Sequence, residues 1–208
     1  MIMKLNSWSV ILGLTAASLL AGCSGVRNPS GVAVTEMKAD ERGFVAGTGV
    51  ESQDLVRVAD KMARGLLSVP QIARAQTPPN VVLEPVINET RFAFSKDIFL
   101  TRIRAQLNTQ VAGKVVFLDR ERLAALERER AAKRAGQFVG TENANVNEFR
   151  GADFFLSGKL SSLTTRTAKG TSDYVLYTFQ LVDPRTSAIV WEGFEEIKKQ
   201  GLEDAAYR

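Results

Sequence analysis

Glu84, Asp97, Asp119, Asp153 and Asp183 sit at the ends, caps and turns of predicted strands and helices. Two of them held about 5 to 10 Å apart would be equipped to hydrolyse a glycan. Each also has a plain structural reading, as a cap or a turn residue. The rest of the catalytic inventory is thin. The 208 residues contain no histidine, so the commonest general base and the commonest zinc ligand are missing, and no imidazole exists to activate a serine. No Gly-x-Ser-x-Gly elbow occurs. Gly158-Lys159 has Asp153 where a phosphate loop needs its first glycine and Leu160 where it needs Ser or Thr, and the glycines from Gly43 to Gly49 follow no predicted strand. The residue types therefore predict no catalytic residues, no metal and no cofactor.

One residue does have a chemical fate written in its surroundings. Leu20-Ala21-Gly22-Cys23 closes a segment with a basic start at Lys4 and an apolar run from Trp8 to Leu20, the order of a secretory signal. That run is about 13 residues, short of the roughly 20 that cross a bilayer as a helix. The four residues resemble a lipobox, in which the cysteine thiol becomes a thioether to diacylglycerol and cleavage leaves Cys23 as an acylated N-terminus. Several acyl chains anchor stably, since each buried CH₂ contributes about 0.8 kcal/mol. Ser24 follows, not the aspartate that resembles an inner-membrane retention signal, so the implied address is the periplasmic leaflet of an outer membrane. With the single cysteine committed to lipid, no internal disulfide is available.

The net charge is +4, or +3 once residues 1–22, with Lys4 as their only charge, are removed. Lys and Arg are spread among acids, without the cluster and interleaved aromatics of a nucleic-acid groove. Residues 1–22 read as signal, 23–50 as a lipidated N-terminus and flexible tether, and 51–208 as a globular domain long enough to bury a core without staples. The tether, from Ser24 to about Thr48, is small, polar and glycine-rich. Its roughly 25 residues reach at most about 80 to 90 Å and average about 25 to 30 Å as a coil.

The domain must then supply the frame. Ser52 is placed as an N-cap, and Leu55, Val58, Ala59, Met62, Leu66 and Leu67 stripe a helix up to Pro70. Its mixed polar face and lack of aromatic residues favour core packing over lying on a membrane. Val81 to Val86 reads as a buried strand that Pro85 ends or bulges, followed by a loop over 87–96 in which Asn88 and Thr90 bond local backbone and fix the bend. Leu100, Ile103, Leu107 and Val111 stripe a second helix that Gly113 closes. Val115 to Leu118 is a strand, and Asp119 caps a third helix over 120–134, packed through Leu123, Leu126 and alanines. After a loop over 136–147 and a turn of helix at 148–150 come three strands: one through Phe154, Leu156 and Leu160, one through Val175, Tyr177, Phe179 and Leu181, and Ile189 to Phe194. Residues 168–173 and 183–187 join them as hairpins. This order predicts an α/β (α+β) fold, a mixed sheet of about five strands flanked by helices, with a compact C-terminal antiparallel meander.

Val-Val-Leu-Glu-Pro-Val-Ile-Asn-Glu-Thr-Arg (81–91), Val-Val-Phe-Leu-Asp (115–119), Gly-Ala-Asp-Phe-Phe-Leu-Ser-Gly (151–158) and Gln-Leu-Val-Asp-Pro-Arg-Thr-Ser-Ala-Ile-Val-Trp-Glu-Gly (180–193) follow the lipobox and linker in the order of the LpoB family, which the chain resembles over nearly all of its globular part. The same motifs are similar to the wider group of TolB amino-terminal and CsgG-like domains. The resemblance implies an outer-membrane lipoprotein that binds and activates a class A penicillin-binding protein, the synthase that polymerises and crosslinks peptidoglycan. The short tether departs from the family's longer, proline-rich one. Two rivals follow from the same residues: a CsgG-like export subunit, which needs spare strands of about 10 alternating residues, and a carboxylate-based wall hydrolase. No partner-binding residues are predicted.

Overall fold

Helix α1, Ser52–Ser68, forms because its apolar residues recur on one stripe: Val58, Ala59, Met62, Ala63 and Leu66 are buried, with Leu55 and Leu67 partly so. The stripe packs into the core, as its polar face predicts. Its N-cap is Glu51, not Ser52. The reason is Asp54, whose Oδ2 accepts the Glu51 N–H at 2.8 Å and ties the first turn together. A single turn, α2 (Pro70–Ala73), follows directly. In this computed structural model, residues 36–43, 47–110, 113–137 and 149–201 are described. The chain divides into two units, Met1–Met37 and Lys38–Arg208; the sheet and its helices belong to the second. Cys23, Val111 and most of the loop and helical turn expected over 136–150 lie outside the described residues.

Strand β1 is Asn80–Leu83 and β2 is Ile87–Glu89, inside the segment expected to be a loop. Both run parallel to β4, with Leu83 opposite Leu156 and Ile87 opposite Lys159. They are one strand broken at Glu84-Pro85-Val86, because Pro85 has no N–H to give the ladder. Asn88 and Thr90 do fix the bend: the Thr90 N–H and hydroxyl donate to Asn88 Oδ1 at 2.9 and 2.7 Å, and Asn88 Nδ2 donates to the Phe92 carbonyl at 2.8 Å.

Helix α3 (Ile98–Gln110) buries Phe99, Leu100, Ile103 and Leu107. Strand β3 is Val116–Leu118, and helix α4 is Leu123–Arg134. Asp119 does not cap α4 itself; its Oδ1 accepts the Arg122 N–H at 3.0 Å in the turn before it. Nor does α4 pack through Leu123 and Leu126. It carries no buried residue, and Leu126 is 40% exposed. Too few large apolar residues line its face to seat it, and its surface is stitched by pairs such as Lys133 to Glu129 at 3.3 Å.

The meander is longer than its apolar runs suggest. Strands β4 (Phe154–Thr167), β5 (Gly170–Asp183) and β6 (Ala188–Gly201) each have 14 residues. The β4–β5 connection is two residues, not the six expected, with Gly170 at φ 129°. The sheet has six strands in the order β3-β1-β4-β5-β6, with β2 beside β4; the β1 contacts are parallel and the meander antiparallel. These long strands are not spare: their inward row of Leu156, Leu160, Val175, Tyr177, Phe179 and Leu181 is the core against α1 and α3. No helix among the described residues is long and apolar enough to cross a membrane.

Gly158 belongs to that inward row because nothing larger fits. A Cβ there would stand 2.6 Å from Phe179 Cε1 and 3.3 Å from Val86 Cγ2. Gly158→Ala is expected to lower stability by roughly 1 to 3 kcal/mol, read as a lower urea midpoint at unchanged m-value. An unchanged midpoint would mean that Phe179 has a second place to go.

Candidate functional site

The fold separates two of the five carboxylates with possible chemistry from the other three. Asp153 Oδ2 accepts the Asn80 N–H at 2.8 Å and Asn80 Nδ2 at 3.2 Å, fastening β1 to the start of β4. Asp183 accepts the Arg185 N–H at 2.8 Å and pairs with its guanidinium at 3.0 Å; Arg185 holds the carboxyl below its usual range. Glu84, Asp97 and Asp119 line one hollow of about 630 Å³ with Arg104 and Arg120, at the carboxyl ends of β1 and β3. Arg120 is already donating to the Arg150 carbonyl at 2.5 Å. Two of the five thus hold strands and turns, and three share a hollow with cations. No group of His, Cys, Asp and Glu among the described residues is arranged to hold a metal ion.

The strongest polar cluster was not singled out from the sequence. Asp173, expected in a hairpin loop, lies inside β5 and is fully buried. Arg91 donates from Nε at 3.0 Å and from Nη2 at 2.6 Å, and the Thr164 and Thr48 hydroxyls each donate at 2.5 Å. Burial alone pushes the Asp173 carboxyl up; the bonds from Arg91, Thr164 and Thr48 outweigh it and hold the pKa at about 2. Thr48, read as tether, is itself buried. Close by, Lys199 pairs with the buried Asp54 and donates to the Gly49 carbonyl at 2.8 Å, and the Gly47 N–H donates to Glu51 Oε1 at 2.9 Å. Residues 47–49 are therefore strapped onto the domain. A signal existed: Asp173 continues the alternate row of Val175, Tyr177, Phe179 and Leu181, so an acid on an inward row needed a partner.

The opposite row of the meander is open. Ile87, Lys159, Thr178 and Phe194 lie directly across four strands, with Glu89, Ser161, Leu176 and Glu196 in the next row and Leu163, Tyr174 and Lys198 beyond. Four of the seven exposed large hydrophobics are on this face: Leu163 at 67%, Ile87 at 56%, Phe194 at 55% and Ile189 at 53%. One ion pair and two hydrogen bonds tie its polar side chains together, while Lys198 has no side-chain partner among the described residues. Lys159 meets Glu89 at 2.9 Å, the Tyr174 hydroxyl donates to Glu196 at 2.7 Å, and Gln180 donates to Glu192 at 2.7 Å. A partner that covers this face meets apolar side chains and must bring an acid for Lys198.

A mixed sheet with helices packed against one row and an open row on the other defines the class: an α+β domain whose free surface is a sheet face. Residues 54–197 match the family described as peptidoglycan-synthase activator LpoB, and the chain belongs to that family. No curated sequence matches the chain. Among solved structures it is similar to the LpoB C-terminal domain from Salmonella enterica (14% identity, 70% of this chain and 99% of that one, TM-score 0.43). It is also similar to the lipoprotein GNA1162 from Neisseria meningitidis (20%, 62% and 88%, 0.36) and to LpoB of Escherichia coli (13%, 87% and 83%, 0.39).

Proposed function

We propose that the protein is an outer-membrane lipoprotein, anchored through acylated Cys23, that binds a class A penicillin-binding protein and activates peptidoglycan synthesis without chemistry of its own. Membership of the activator family supports the reading, and the open sheet face around Phe194, Ile87 and Leu163 is the observation that gives it a surface. Activation is then a matter of differential affinity: the domain binds the synthase more tightly in its active than in its resting state and shifts the population accordingly. A tenfold shift needs about 1.4 kcal/mol of such preference. The tether limits where this can happen, since its average span of about 25 to 30 Å is reduced further when residues 47–49 are strapped to the domain.

The test is glycan polymerisation by a detergent-solubilised class A synthase with and without the full chain. Wild type should raise the rate severalfold. The double variant Leu163→Asp/Phe194→Asp should lose that effect while unfolding at the wild-type urea concentration, because both side chains are exposed. No activation by wild type would sink the synthase reading. Full activation by the double variant would move the contact off this face.

A further inference from the structure

The sheet path ends at β6, so the outer side of that strand pairs with no other strand among the described residues. An edge of 14 residues presents a row of backbone N–H and C=O groups to any further strand. Part of it is guarded from α1. Arg57 donates to Glu195 Oε1 at 2.8 and 2.5 Å and to the Glu196 carbonyl at 3.4 Å; Lys61 donates to Glu195 Oε2 at 2.5 Å and stands 5.6 Å from the centre of the Phe194 ring.

Beyond Glu196 the guard stops. Five consecutive residues, Ile197 to Gly201, line a hollow of about 950 Å³, with Gln53, Val56 and Arg57 of α1 also on its wall. A smaller hollow of about 460 Å³ at the β4–β5 turn shares Gln200 and Gly201 and adds Lys169. The two hollows meet at Gln200 and Gly201, and the trough they flank is the end of the edge strand. Its charges are uneven once internal pairs are set aside. Lys199 is engaged by Asp54, Arg57 by Glu195, and Asp60 faces Arg102 at 3.7 Å. Arg42, Lys169 and Lys198 have no side-chain partner among the described residues, against Asp40 alone of the lining acids.

We propose that this trough takes an extended, carboxylate-bearing peptide of another protein, docked as an added strand on the Ile197–Gly201 edge. Main-chain hydrogen bonds to an open edge give such a ligand its affinity, and alternate side chains give specificity. Side chains on the row of Lys198 and Gln200 meet an unpaired ammonium and are acids; those on the other row meet Ile197 and Val56 and are apolar. Five residues of such a strand span about 17 Å. This edge borders the open sheet face and shares Lys198 with it, but its ligand does not depend on which enzyme that face binds.

The probe is the synthetic peptide acetyl-Glu-Val-Glu-Val-Glu-Val-Glu-amide, with a version carrying Lys for every Glu and a version N-methylated at alternate residues, added to the full chain in detergent. The acidic peptide should slow hydrogen exchange of the Ile197–Gly201 amides by roughly tenfold, the lysine version should bind about tenfold more weakly, and the N-methylated version should not bind. Lys198→Glu, on an exposed side chain, should abolish the preference between acidic and basic peptides, since Arg42 and Lys169 are then balanced by Asp40 and the new acid. The proposal fails if the acidic peptide does not bind, if all three peptides bind alike, or if protection appears on the Ile87 and Leu163 face instead. It fails also if binding appears only after residues 202–208 are removed, because the chain's own end would then be the occupant.

Discussion

Arg91→Ala is expected to destabilise the domain by about 3 to 5 kcal/mol, because it leaves a fully buried carboxylate without its cation. Thr48 and Thr164 still donate to Asp173, but two hydroxyls do not balance an ionised group at a site closed to water. Replacing both partners, Arg91→Ala with Asp173→Asn, should recover much of the loss, since the uncompensated charge is gone, the amide oxygen accepts from one threonine hydroxyl and the amide NH2 donates to the other. Urea unfolding of the full chain and the two variants measures this. A single variant within about 1 kcal/mol of wild type would mean that water or another cation reaches Asp173. The same cluster sets an acid limit. The Asp173 pKa is about 2 in the folded state against 3.8 for the free group, so the unfolded state binds the proton more readily. The cluster's contribution is whole above about pH 3.8 and is lost as pH falls through about 2. Wild type should show that acid limb, and the double variant should show a flatter one.

Phe99→Ala is the second large effect, again about 3 to 5 kcal/mol. Phe99 is fully buried where α3 meets the sheet, with ring centres 5.6 Å from Tyr177, 6.4 Å from Phe179 and 6.1 Å from Phe94. Truncation removes the transfer energy of the ring and leaves a cavity between two rigid elements that cannot close on it. Phe99→Leu should restore part of the loss. By contrast Phe194→Asp, on the open face, should stay within about 0.5 kcal/mol of wild type. If the two positions behaved alike, the assignment of inner and outer rows would be wrong.

That assignment is largely legible in the sequence. Period 3.6 marks α1 and α3 through Val58, Met62, Leu66, Ile103 and Leu107, and period 2 marks β5 through Val175, Tyr177, Phe179 and Leu181, because an element that buries one face repeats its apolar residues at its own pitch. The mixture of parallel and antiparallel pairing follows from which strands have helices between them. Elsewhere local signals are weak or misdirected. Strands β4 to β6 extend past their apolar stretches into Ser, Thr, Glu and Lys, held by ladder hydrogen bonds that leave no hydrophobic signature. Strand β2 is three residues beside a proline, below the length at which periodicity can be seen. Helix α4 has strong helix formers but no buried face, so propensity reveals its existence and misjudges its packing.

The candidate site is less legible than the fold. Cys23 owes its reading to neighbours in sequence, and so does the Asn88–Thr90 bend, whose bonds span two to four residues. Such features are local chemistry and need no tertiary structure. Asp173 meets Thr48 across 125 positions and Arg91 across 82; no periodicity announces contacts of that range. The open face likewise exists only because cross-strand register sets Ile87, Lys159, Thr178 and Phe194 in one row. By itself the sequence determined the periodic elements, the order that makes the sheet mixed, and the poverty of catalytic side chains. The tertiary structure decided which acid is buried, where the tether is strapped and which face and edge remain open, because those depend on strand register and long-range closure, and a register shift of one residue would exchange inside for outside.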